Sequence, residues 1–141
     1  MIKRFEFSLG NILEYRKQNE QRIKRNYTAL RQELSSKENE AERLSIEKFN
    51  LMDVGELTVG RMQVQQRYLI ELDRRIGEIK TESLELQNKV EMALQEVVQA
   101  QKERKVLEKL EEKQHLVYLQ EIKHEEQKQL DEMGNRSKFA F

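Results

Sequence analysis

Apolar residues return every three and four positions along nearly the whole chain, and the rhythm breaks once, across the glycine-containing segment Met52 to Gly60. Stepping by four and three from Leu9 reaches Leu13, Arg16, Glu20, Ile23, Tyr27, Leu30, Leu34, Lys37, Ala41, Leu44, Lys48 and Leu51. Nine of these thirteen positions are apolar or Tyr in a chain that is 37% hydrophobic, so the stripe is a heptad seam and not chance. From Met62 the same steps reach Gln65, Leu69, Leu72, Ile76, Ile79, Ser83, Leu86, Val90, Ala93, Val97, Ala100, Arg104 and Leu107, eleven of fourteen apolar. Between the two runs, Gly55 and Gly60 with β-branched neighbours disfavour helix and suit a turn.

The pattern predicts an all-α fold, a long two-helix antiparallel coiled-coil hairpin forming one elongated domain over residues 1–141. Helix 1 covers about 8–51, the turn about 52–60, helix 2 about 61–133 and a C-terminal tail 134–141. Gly77 lies inside helix 2 and weakens it by roughly 1 kcal/mol relative to Ala, which a long seam absorbs. A turn centred near residue 56 sets Leu51 opposite about residue 61 and Leu9 opposite about residue 103. Helix 2 then overhangs from Leu107 to Met133, roughly 40 Å at ~1.5 Å per residue.

The register points to the same boundary. After Leu107 the steps land on Glu111, Gln114 and Tyr118, whereas the apolar residues are Leu110, Leu116, Val117, Leu119, Ile122, Leu130 and Met133. An overhang of this kind is either a docking element covered by another protein or a solitary helix supported by neighbouring ion pairs. Glu112, Lys113, Glu121, Lys123, Glu125, Glu126 and Lys128 supply the charges for the second reading.

Composition narrows the function. Lys+Arg and Asp+Glu balance at 26 each, so no overall positive charge drives binding to nucleic acid or an anionic membrane, and proteins are the expected partners. Proline is absent, as uninterrupted helix requires, and the absence of cysteine excludes disulfides and thiol chemistry. No run of eighteen apolar residues occurs and residues 1–7 lack the apolar core of a signal peptide, so a soluble cytoplasmic chain without membrane insertion is expected.

Catalytic patterns are missing. His115 and His124 are nine residues apart, on opposite helix faces, and read as solvated surface side chains rather than ligands of one metal. There is no phosphate-cradling glycine loop, no nucleophile elbow and no His-Glu-x-x-His, and a two-helix seam offers no substrate pocket. The expectation is a non-enzyme with no cofactor and no metal.

The polar seam residues Arg16, Glu20, Lys37, Lys48, Gln65, Ser83 and Arg104 fit a role in fixing register. Arg16, Glu20 and Arg104 fall at about one level, where they form either a charged network or stems snorkelling outward. Phe49 and Tyr68 sit beside the seam near the turn, as flanks of the core or, if exposed, as a contact patch.

The two termini carry a resemblance. Phe5-x-Phe7-x-Leu9-x-x-Ile12-Leu13-x-Tyr15-Arg16 opens the chain, and Glu103-Arg104-Lys105-x-Leu107-Glu108-Lys109-Leu110-x-Glu112-Lys113 lies in helix 2. With Tyr118, Glu121, Glu126-Gln127-Lys128 and Leu130-Asp131-Glu132 they resemble the flagellar export protein FliJ family over the full length. The resemblance implies a stalk-like coiled coil, similar to the central stalk of rotary ATPases, acting in the bacterial flagellar type III export apparatus. Its terminal end would engage and stimulate the hexameric export ATPase ring, its other end would meet the cytoplasmic domain of the membrane export gate, and it would help handle export chaperones. That implies a cytoplasmic protein held peripherally at the inner face of the cell membrane at the flagellar base.

Carried onto this chain, the resemblance makes Leu9, Leu13, Tyr15, Arg16, Arg104, Leu107, Leu110, Tyr118, Gln127 and Asp131 the ATPase-facing candidates. Phe49, Tyr68 and Leu72 are the gate-facing candidates. The alternatives are a homodimeric coiled-coil scaffold with residues 52–60 as a hinge, and a prefoldin-like holdase, whose strands lack any alternating apolar segment here. A monomeric hairpin is expected to scatter light at the 17.0 kDa chain mass, and the scaffold at about twice that.

Overall fold

The computed structural model describes residues 4–53 and 58–139, and its two helices are α1, Gly10–Met52, and α2, Val59–Phe139. They run 43 and 81 residues, and no strand occurs among the described residues, so the chain is an all-α helical hairpin. Residues 54–57 of the expected turn, Gly55 included, lie outside the described residues.

Helix boundaries follow local chemistry. Thr58 caps α2, its Oγ1 accepting from the Arg61 amide at 3.3 Å while its carbonyl accepts from the Met62 amide at 2.9 Å. That moves the start of α2 two residues ahead of the expected position. At the other end α2 passes Gly134 and continues to Phe139, so the expected tail from 134 is largely helix. Glycine stops a helix when it takes a left-handed conformation, and no described glycine has a positive φ.

Contacts divide the chain into two compact units, unit 1 of residues 1–21 with 99–141 and unit 2 of residues 22–98. In unit 2 the helices pair antiparallel, since Lys37 meets Glu82 at 2.9 Å and, further along α1, Lys48 meets Asp73 at 2.5 Å. The core of this unit is Leu44, Leu72, Ile76 and Ile79, with Ala41 and Leu51 packed against it. Leu72, 2% exposed, is fully enclosed. Every α1 seam position found by counting is buried or half-buried, and on α2 Met62 alone is exposed. Ile23, Tyr27, Leu30 and Leu34 remain half-buried because two helices cover only one side of a large side chain.

The register differs from the expected one. The Gln65 amide donates to the Leu51 carbonyl, one of the last carbonyls of α1, so Leu51 faces residue 65 and not 61. The first turns of α2, with Val59, Met62 and Val64 exposed, therefore extend past that level. In unit 1 the shift has the same direction: Arg16 faces Glu103, seven residues further along α2 than a turn centred at 56 provides, as Lys37 faces Glu82 in unit 2.

This shift removes the boundary expected at Leu107. The segment before α1 is not helical, and with Arg16 against Glu103 its Phe5 falls opposite about residue 114, where its ring meets His115 and Tyr118. The seam register also continues, with Glu111, Gln114 and Tyr118 all half-buried. Beyond Tyr118, Ile122 is half-buried and every other side chain from residue 119 to 136 is exposed.

Chemical denaturation separates the two kinds of position. Leu72→Ala is expected to cost about 2–4 kcal/mol, because it opens a cavity in the unit 2 core. Gly77→Ala is expected to stabilise by about 0.5–1 kcal/mol, since an added Cβ meets open space and the helix interior gains a better former.

Candidate partner-docking surfaces

Unit 1 is organised around charge. Glu20 occupies a seam position and is 2% exposed, which would be costly for an isolated carboxylate. Arg104, facing it from the α2 seam, donates from Nε to Glu20 and from Nη1 to Glu108 at 2.8 Å. These contacts raise the Arg104 pKa, the Glu108 hydrogen bond first and the Glu20 hydrogen bond next, so the guanidinium stays charged throughout the physiological range. One turn earlier Arg16 Nη1 reaches Glu103 at 2.6 Å. Of the two readings of Arg16, Glu20 and Arg104, the arginines pair across the helices rather than only reaching outward, Arg104 with Glu20 and Arg16 separately with Glu103.

The apolar seam of unit 1 is short. Leu13 and Ala100 are buried, while Leu9, Leu107 and Leu110 are half-buried. Leu13 therefore supports a surface rather than forming one. Tyr15, 62% exposed, points away from the seam and is free to meet a partner. Gln127 and Asp131 are exposed one turn apart, joined by a 3.3 Å hydrogen bond along the helix. His115 is exposed, as expected of a surface histidine, and also stacks on Phe5 with ring centroids 4.8 Å apart and planes at 21°. Phe5 also meets Tyr118 at 5.4 Å. The Phe-x-Phe start was visible in the sequence, but pairing it with His115 needed the true register.

In unit 2 the gate-facing candidates divide. Phe49 is 70% exposed and Tyr68 43%, as a contact patch requires, whereas Leu72 is core and presents nothing to a partner. The Tyr68 hydroxyl donates to Glu47, and that bond, followed by desolvation, raises its pKa. Ile46, Met52, Val59, Val64 and Ile70, apolar positions outside the counted seam, are exposed as well, and so is Met62, which the seam count includes. An open apolar groove of about 570 Å³ lies here, lined by Leu51, Thr58, Gly60, Arg61, Val64, Gln65 and Tyr68.

Of the polar seam residues of unit 2, Lys37 and Lys48 reach outward to Glu82 and Asp73 on long stems, whereas Ser83 is buried. Hydrogen bonding to Glu82 raises the Lys37 pKa, and beside the seam Arg75 lies 3.8 Å from Glu40. Among the described residues no three His, Asp or Glu side chains are placed to hold a metal ion. Likewise no described helix is long and apolar enough to cross a membrane.

Comparison with protein families decides the identity. The model of the Flagellar FliJ protein family matches residues 5–139. The chain belongs to the flagellar FliJ family. It is thus a component of flagellar protein export. Comparisons with curated proteins and with solved structures return no match. The matched span includes Phe5 and the whole of both helices, so membership extends over unit 1 and unit 2 alike.

The buried Glu20 yields a stability test. Arg104→Ala is expected to lower the unfolding temperature more than Arg74→Ala, because Arg74 serves only the exposed Glu71 and Glu78 whereas Arg104 neutralises a buried carboxylate. The double variant Glu20→Leu with Arg104→Leu is expected to recover most of that loss, since it removes the buried charge along with its partner.

Proposed function

We propose that this chain is a non-catalytic stalk of the flagellar type III export apparatus, with unit 1 engaging the export ATPase hexamer and stimulating it. The Phe49 and Tyr68 surface of unit 2 meets the cytoplasmic domain of the export gate, at the inner face of the cell membrane, and the chain assists in handling export chaperones. The observation that carries this reading is the exposed stretch of α2 from residue 119 to 136, half-buried at Ile122 alone, within a chain matched to the family from residue 5 to 139. A helix that buries so little of itself is marginal in water and gains order by lying against another surface. Leu130 and Met133 supply apolar contacts there and Gln127 and Asp131 polar ones, while Tyr15 is exposed on α1 in the same unit.

Of the ten ATPase-facing candidates, Tyr15, Gln127 and Asp131 are the ones to test, because changing them leaves the seam intact. ATP hydrolysis by the matching export ATPase is expected to rise when the parent chain is added. A variant carrying Tyr15→Ala, Gln127→Ala and Asp131→Ala is expected to lose that rise while retaining the parent's helix content by circular dichroism. A folded parent that leaves an active ATPase unchanged refutes the stalk reading, and a mass near twice 17.0 kDa would then favour the homodimeric scaffold.

A further inference from the structure

The segment before α1 does more than lengthen the chain. Residues 4–7 are not helical, and the first backbone hydrogen bond of the helix start runs from the Gly10 amide to the Phe7 carbonyl at 3.0 Å. Phe5 crosses to α2 and lies on His115 and Tyr118, centroids 4.8 and 5.4 Å away. There it borders a groove of about 370 Å³ whose apolar lining is Leu110, Val117 and Tyr118, with Lys113 and Glu121 at its rim. Phe5 occupies only part of this face, and both Leu116 and Val117 are still half or more exposed.

We infer that residues 4–9 form a detachable strap, closed over the Leu110–Tyr118 face of α2 in the free protein and displaced when the export ATPase takes that face. This rests on the proposed function and adds a regulatory step to it. Three observations support it. The strap precedes α1 and meets it through two backbone bonds at its far end, from the Gly10 amide to the Phe7 carbonyl and from the Leu13 amide to the Leu9 carbonyl, so Phe5 can leave α2 with both kept. The ring contacts of its leading residue are one aromatic cluster, with Phe7 and Leu9 half-buried behind it, and ordering several non-helical residues opposes that hold. The face it covers contains Leu110 and Tyr118, both ATPase-facing candidates, and leads directly into the exposed stretch from residue 119. A partner that fills the groove more completely than one phenyl ring gains the apolar area that Phe5 gives up. A chain with no cysteine of its own makes the strap easy to lock.

The test uses the full chain carrying Phe5→Cys and His115→Cys, assayed for stimulation of ATP hydrolysis by the matching export ATPase. Oxidised, with the strap closed by a disulfide, it is expected to need about ten-fold more protein for half-maximal stimulation than the same variant reduced, because the competent fraction falls. Phe5→Ala, which frees the face, is expected to need about three-fold less protein than the parent. Equal stimulation by the oxidised and reduced forms overturns the strap while leaving the stalk reading intact, and so does a higher requirement for Phe5→Ala, which would make Phe5 part of the docking surface. A parent without any stimulation defeats the stalk reading itself, and the strap with it.

Discussion

Burial along a stripe one or two residues wide is the constraint from which the other features derive. A heptad seam removes a leucine from water on one side and leaves its flank accessible, so two helices alone build a line of contact rather than a core. Full enclosure is reached where branched aliphatic residues face each other over consecutive layers, at Leu44, Leu72, Ile76 and Ile79. Elsewhere in unit 2 α2 buries Ser83, Leu86, Ala93 and Val97, while the larger α1 residues Ile23, Tyr27, Leu30 and Leu34 stay half-open. The apolar area is thus enclosed from both helices near the Leu72 layer and mainly from α2 beyond it.

A seam that stabilises weakly per layer also discriminates weakly between registers, because a shift of one heptad again sets apolar against apolar. The polar seam residues supply the missing specificity. Glu20 is buried and can be accommodated only where a cation arrives from the other helix, which Arg104 does while also holding Glu108. Gln65 satisfies a terminal carbonyl of α1, a contact that a slipped register would lose. Lys37 and Lys48 are more tolerant, since a flexible stem finds a carboxylate over a wide arc, and their exposed pairs with Glu82 and Asp73 add little stability.

Periodicity made the seam legible position by position: of the twenty-seven counted sites, Met62 alone is exposed. It also separated seam from surface correctly at Phe49 and Tyr68. Register was less legible, because the sequence marks where a helix weakens but not how far the chain travels before the next helix pairs. Met62 and Gln65 look alike as seam steps, yet the first lies past the level of Leu51 and the second faces it. A shift of four residues at Leu51 and of seven at Lys37 and Arg16 changes the whole estimate of what α2 lacks a partner for.

The end of the seam in unit 1 follows from the same register. With Arg16 against Glu103, Phe5 falls opposite about residue 114, and its ring lies on His115 and Tyr118 beside the half-buried steps Glu111, Gln114 and Tyr118. An aromatic ring is well suited to secure so sparse a contact, since one side chain covers a large area. The register of the pair, set by its polar seam residues, therefore decides how much of α2 is left for other proteins. The stretch that stays exposed beyond Ile122 begins where the last aromatic contact ends, next to the surface on which the export role is proposed to depend.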